Sequence, residues 1–105
     1  MAQEKDLQEL QLLEQNLSQI AMQKQQFQLQ LSEIESAMKE LETREKAYKI
    51  VGNLLIESDK KTLVEELTGK KEVTELRIKA FEKQESKFKD KVKDLQKSVL
   101  DNLGK

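Results

Sequence analysis

A ten-residue apolar insert separates two long helical patterns and constrains the fold more than any other feature of this chain. It reads Tyr48-Lys49-Ile50-Val51-Gly52-Asn53-Leu54-Leu55-Ile56-Glu57. The flanks are charged and helical in period, whereas the insert is β-branched with a Gly-Asn pair at its centre. Strand-forming residues around a Gly-first two-residue turn predict a β-hairpin, with strands near Ala47–Val51 and Leu54–Glu57. Counted in twos along the insert, Tyr48, Ile50, Leu54 and Ile56 fall together, and Val51 and Leu55 fall opposite. Both faces are then apolar and both need cover. A lone two-stranded hairpin is marginal in water. One face can pack on the chain's own helices or inside a barrel, and the other calls for neighbouring subunits. A closed ring of hairpins would also remove the exposed strand edges. Tyr48, Ile50, Val51, Leu54, Leu55 and Ile56 are therefore the candidate oligomerisation residues. The plainer alternative is a β-turn packed only on its own helices.

Before the insert, positions 10, 13, 17, 20, 24, 27, 31, 34, 38 and 41 step alternately by three and four. They hold Leu10, Leu13, Leu17, Ile20, Lys24, Phe27, Leu31, Ile34, Met38 and Leu41. Lys24 is the one polar residue in that set, so the pattern is a sustained coiled-coil seam. At 1.5 Å per residue it would run about 47 Å. Glu35/Lys39, Glu40/Arg44 and Glu42/Lys46 stand four apart in the favourable order. The cluster Gln19, Gln23, Gln25, Gln26, Gln28 and Gln30 reads as a solvated helix face.

After the insert, Ile78, Phe81, Glu85, Phe88, Val92, Leu95, Val99 and Asn102 keep the same stepping. Val64 and Leu67 fit its backward extension. Lys71 and Thr74 do not, and the nearby Val73 and Leu76 suggest that the seam drifts around the helix there. Gly69 lowers helix propensity in this stretch and marks a candidate flexible point. Ser58 or Asp59 is the expected N-cap.

Two seams joined by a short connector should pair antiparallel. Leu41 opposite Val64 brings Leu17 to Phe88 and Leu13 to Val92; a one-heptad slip is the alternative register. Lys24 and Glu85, the polar intruders of the two seams, then lie in adjacent layers, and buried charges need partners. An ion pair between them is expected. Independent snorkelling of two long side chains is the alternative.

The balance of residues fits this architecture. Charged residues make up 37 % of the 105 and apolar residues 36 %, with no proline. Such a chain favours helices with narrow apolar seams over a large core. Residues 1–47 carry nine acids and five bases, and residues 58–105 carry ten acids and thirteen bases, so opposite charges face each other if the arms fold back. A basic arm that binds nucleic acid is the alternative, but its lysines alternate with acids and lack an aromatic stacking platform. Cysteine and histidine are both absent. That removes disulfides, the usual zinc ligands, thiol nucleophiles and the commonest general base. No catalytic cluster or phosphate-cradling glycine loop appears, so an enzyme and a bound cofactor are not expected. Nothing resembles a signal peptide or a membrane span, and a cytoplasmic protein is the expectation.

The order helix, β-hairpin, helix resembles prefoldin, in its one-hairpin β-type subunits of the archaeal kind. The local segments resemble it too. They are Tyr48-Lys49-x-Val51-Gly52-Asn53-Leu54-Leu55-Ile56 in the hairpin, and Leu63-Val64-Glu65-Glu66-Leu67 at the start of the second helix. Further along come Leu76-Arg77-Ile78-x-x-Phe81-x-x-Gln84-Glu85 and Val92-Lys93-Asp94-Leu95-Gln96. Met22-Gln23-Lys24-Gln25 is similar to a stretch of the family's first helix. The resemblance implies a mainly α fold, a long antiparallel two-helix coiled coil with one β-hairpin at the bend. It divides the chain into a helix over 1–46, a hairpin over 47–58 and a helix over 59–105, as a single domain. It further implies a hexamer of two α and four β subunits whose hairpins form an intersubunit β-barrel. Such complexes hold unfolded or nascent clients without ATP and deliver them to a group II chaperonin, with no nucleic-acid or membrane partner.

In the family, the ends of the coiled coil supply much of the client contact. The corresponding residues here are Leu7, Leu10, Leu12, Leu13, Val99, Leu100 and Leu103. Leu7, Leu12 and Leu100 fall off the seam and can stay exposed when the helices pair. Relatives often have a longer stretch between Leu41 and Tyr48, so the first helix is expected to run straight into the hairpin here. A coiled-coil scaffold or tether, whose hairpin serves only oligomerisation, is the alternative function.

Overall fold

The computed structural model describes residues 2–103, and the side chains of residues 4–101. The chain runs α1 (Ala2–Glu42), β1 (Ala47–Val51), β2 (Leu54–Ser58), α2 (Lys60–Leu103). This is the expected fold class, two long helices with a two-stranded antiparallel hairpin between them. The residues form two compact units, one made of those up to Gln26 and from Ile78 onward, the other of Phe27–Arg77.

In the first unit the expected seam is what the helices bury. Leu13, Ile20, Ile78 and Val99 are buried, while Leu10, Leu17, Phe81, Phe88, Val92 and Leu95 are half-buried. The register near the chain ends is marked by Ser98 Oγ, which donates to Asp6 Oδ2 at 3.5 Å. A one-heptad slip in either direction would move Asp6 seven residues along α2 and out of reach of Ser98.

The Lys24–Glu85 pair forms as expected. Lys24 Nζ donates to Glu85 Oε1 at 2.7 Å, with the side chains 24 % and 13 % exposed. Partial burial strips water from both groups, so each depends on the other. The hydrogen bond to Glu85 holds the Lys24 ammonium above its ordinary value of 10.5. Burial opposes that shift, and the charges of Glu85 and Glu82 add to it. Lys24→Leu and Glu85→Leu should each lower the melting temperature, because each strands the other charge in the seam. The double variant should match or exceed the wild type. The sign with pH follows from the raised value. The stabilisation is complete below pH 10.5 and fades as pH rises through the folded-state value. Urea unfolding at pH 8 and above pH 11 should therefore show the gap between wild type and Lys24→Leu narrowing at the alkaline end.

The second unit begins where α1 approaches its end. Its seam continues through Leu31, Ile34, Met38 and Leu41. The helix does not run straight into the hairpin; it stops at Glu42, short of the expected boundary at residue 46. Thr43 N–H donates to Glu40 O, Arg44 N–H donates to Leu41 O, and the Thr43 hydroxyl adds a bond to Glu40 O. These tightened i→i−3 bonds close the last turn, and residues 43–46 then lead into β1. Glu40 and Arg44 pair at 3.4 Å as their spacing suggests, whereas Glu35 lies 3.9 Å from Lys71 on α2.

The start of α2 is capped by Asp59, not Ser58. Its Oδ2 accepts from Thr62 N–H at 3.2 Å and from the Thr62 hydroxyl at 2.8 Å. Asp59→Ala should cost about 1 kcal/mol of stability in a urea titration. Beyond the cap, α2 passes through Gly69 without a break.

The seam does not drift in this stretch, contrary to expectation. Lys71 is half-buried and Thr74 buried, while Val73 and Leu76 face outward at 50 % and 66 % exposure. The phase of a continuous helix holds whatever residues occupy it. Thr74 tolerates burial because its hydroxyl donates to Lys70 O at 2.7 Å, and Lys71 reaches toward Glu35.

Candidate functional site

Two surfaces carry the functional argument, one in each unit. The hairpin belongs to the unit Phe27–Arg77. Its register pairs Ala47 with Ser58, Tyr48 with Glu57, Lys49 with Ile56, Ile50 with Leu55 and Val51 with Leu54. Gly52 adopts φ 61°, and no other residue among those described has positive φ. That is the Gly-first turn, with a left-handed residue only at its first central position.

The register corrects the expected division of faces. Directly opposed residues share a face, and a two-residue loop pairs even numbers with odd ones. Tyr48, Ile50, Leu55 and Glu57 therefore stand together. Ala47, Lys49, Val51, Leu54, Ile56 and Ser58 form the other face. This second face turns toward α2, since Ala47 is buried and Lys49 Nζ meets Glu66 Oε2 at 3.2 Å. Both faces remain apolar. All six candidate oligomerisation residues are exposed, from 45 % at Ile56 to 74 % at Ile50. A β-turn covered by its own helices would bury Val51, Leu54 and Ile56 along with Ala47, and those three are exposed.

The second surface lies where the helices approach the chain ends. Leu7, Leu12 and Leu100 are exposed, as their off-seam positions suggest. Leu10 is half-buried, while Leu13 and Val99 are buried in the seam and are not presented to a partner while the helices stay paired. The Leu103 side chain lies outside the described residues. Glu4, Glu9 and Lys97, all exposed, stand three residues before Leu7, Leu12 and Leu100 on their helices, a spacing that makes each pair neighbours on the helix surface.

Sequence reasoning passed over several exposed apolar residues on the outer helix faces. Met22 and Leu29 stand seven apart on α1, a spacing that could have revealed them. An open groove between α1 and α2 in the unit Phe27–Arg77 was also missed. Its volume is about 490 Å³, and Phe27, Ile34, Gly69 and Val73 are among the residues lining it. Arg77 lies over the Phe27 ring at 5.4 Å. Among the described residues, no cluster of three or more His, Cys, Asp or Glu could hold a metal ion. No helix among them is long and apolar enough to cross a membrane.

Comparison with known proteins gives one consistent answer. The family model described as prefoldin subunit matches residues 4–105. Prefoldin subunit beta of Sulfurisphaera tokodaii is 37 % identical over 99 residues, covering 91 % of this chain and 79 % of the relative. Its counterpart in Thermococcus onnurineus is 39 % identical over 89 residues, covering 82 % and 77 %. The crystal structure of the prefoldin beta subunit from Thermococcus strain KS-1 superposes with a TM-score of 0.92 at 34 % identity, covering 97 % of this chain and 92 % of that one. The family match over residues 4–105 and the beta-subunit relatives show that the chain belongs to the prefoldin subunit family, among its β-type members.

Proposed function

We propose that this chain is a subunit of an ATP-independent co-chaperone complex that holds unfolded protein and passes it to a group II chaperonin. Membership of the family supports the co-chaperone role. The observation that carries the finer reading is that each of the two units has its own exposed apolar residues, the hairpin in one and Leu7, Leu12 and Leu100 in the other. The hairpin presents six apolar side chains in the stretch Tyr48–Ile56, dense enough to demand a permanent partner. Leu7, Leu12 and Leu100 are scattered among charges, which suits reversible contact with the apolar segments of an unfolded chain.

In this reading the hairpins of several subunits close into a barrel, in a hexamer of two α-type and four β-type chains. Burial of the hairpin faces drives that assembly, and barrel closure removes the strand edges. The free helix ends then act together on one client. Several weak apolar contacts, tethered through one assembly, combine into useful affinity through effective concentration. Release needs no nucleotide, because each contact is weak and a chaperonin can compete for the same apolar segments. The complex works in the cytoplasm, where nascent chains emerge.

Light scattering tests this reading. The chain is assembled with an α-type prefoldin subunit and added to a denatured client diluted from guanidinium, without ATP. Suppressed scattering at near-stoichiometric complex is the expected result. A well-formed complex that leaves aggregation unchanged would leave only the tether reading, with the hairpin serving oligomerisation alone.

A further inference from the structure

We propose that the lysine-bearing face of α2, from Lys79 to Lys97, receives acidic segments of the client, so that the chain favours apolar stretches flanked by Asp and Glu. The inference rests on the client-holding function proposed above and names the class of segment it selects.

Lys79, Lys83, Lys87 and Lys91 stand four apart along α2, and Lys89, Lys93 and Lys97 form a second row with the same step. All seven are exposed. Like charges four apart repel on a helix surface and destabilise it. Lys91 lies over the Phe88 ring at 5.7 Å. Among the described residues, none of the seven comes within 4.0 Å of a carboxylate oxygen, so no ion pair offsets that repulsion. Glu82, Asp90 and Asp94 are interleaved with the rows and exposed, and seven bases against three acids leave the face strongly positive. Glu85 is already held by Lys24 at 2.7 Å. The acids of α1 do not answer the rows either. Lys24–Glu85 is the one ion pair between the helices of this unit among the described residues.

Charge complementarity makes the occupant anionic, and the rest of the helix narrows its class. The apolar side of α2 is turned into the seam, with Phe81, Phe88, Val92 and Leu95 half-buried and Val99 buried. No wide apolar face is then free to enter a lipid surface, and no exposed ring stands among the lysines for a base to stack on. A nucleic-acid backbone also repeats its negative charge at every phosphate, so it would meet Asp90 and Asp94 as well as the lysines. An unfolded polypeptide can set its carboxylates against the lysines and keep them away from those acids. Lysine suits such a partner, because it is a mobile point charge rather than the planar fork that matches phosphate. Leu100 is 67 % exposed and stands three residues after Lys97, a spacing that makes the two neighbours on the helix. A segment that rests an apolar side chain on Leu100 therefore has lysines beside it.

The test uses the full chain assembled with an α-type subunit, and fluorescence anisotropy with three labelled peptides. The peptides share one Leu/Ile/Val core and differ in their flanks, which are Asp/Glu, Ser or Lys. Each exposed ion pair contributes little, and several acting together should make the acid-flanked peptide bind about tenfold tighter than the Lys-flanked one at low salt. The gap should close at about 0.5 M salt, where exposed charges are screened. Lys83→Gln/Lys87→Gln/Lys93→Gln/Lys97→Gln should close it at low salt too. Circular dichroism should show helix content kept and melting unchanged or raised, since like charges are removed. Equal affinity for all three peptides would overturn the lysine inference and leave apolar capture standing. If no peptide binds, the client-holding reading fails and the lysine inference with it. A preference that persists in the glutamine variant would place it elsewhere on the complex and overturn the assignment. Single-stranded RNA that binds tighter than the acid-flanked peptide and displaces it would give the face to nucleic acid, and would overturn it as well.

Discussion

Ile50→Ser/Leu55→Ser is expected to convert the assembled complex into separate chains while leaving helix content intact. The two residues are direct cross-strand partners and are 74 % and 67 % exposed. Nothing in the chain's own fold depends on them, so the helices should melt as before. Burying an aliphatic side chain of this size stabilises by about 1.5–3 kcal/mol. Losing two per copy removes about 3–6 kcal/mol, two to four orders of magnitude in association. In the proposed barrel, serine would also place a hydroxyl where few partners are offered. Native mass measurement reads the outcome directly. Retained oligomers would mean that the hairpin is not the assembly point.

The triple variant Leu7→Ser/Leu12→Ser/Leu100→Ser is expected to have the opposite profile. The assembly should survive, since these side chains lie outside the seam that joins the helices. Client affinity should fall by about 10- to 100-fold, the usual consequence of removing a few central apolar contacts. Fluorescence anisotropy with a labelled, unfolded client measures this. Leu13→Ser and Val99→Ser would be poor substitutes. Both residues are buried, so their loss would unpair the helices and blur capture with stability. A triple variant that loses its oligomer would show that these leucines are structural.

Much of this fold is legible because a coiled coil writes its contacts into the residue spacing. All ten positions from Leu10 to Leu41 are at least partly buried, and the two polar intruders, Lys24 and Glu85, pair with each other. The failures have physical causes. Lys71 and Thr74 look like departures when residues are sorted by hydrophobicity alone. A threonine that returns its hydroxyl to Lys70 O can nonetheless be buried, and a lysine at the margin can reach a carboxylate across the seam. The hairpin faces were misdivided because counting in twos through the turn ignores that a two-residue loop pairs odd with even positions. The end of α1 depended on backbone bonds around Thr43 that residue type does not announce. As for the candidate site, Leu7, Leu12 and Leu100 were legible as leucines off the seam. The groove at Gly69 was not, since it depends on the three-dimensional spacing of α1 and α2 around Phe27, Ile34 and Val73.

The central claim is that one chain joins an oligomer through its hairpin and holds a client elsewhere. Native mass spectrometry of the wild-type chain with an α-type subunit and a denatured client, in the absence of nucleotide, tests both halves at once. The account predicts a multi-subunit complex, six chains in the proposed form, carrying bound client. Single chains, or an intact complex that never carries client, would contradict it.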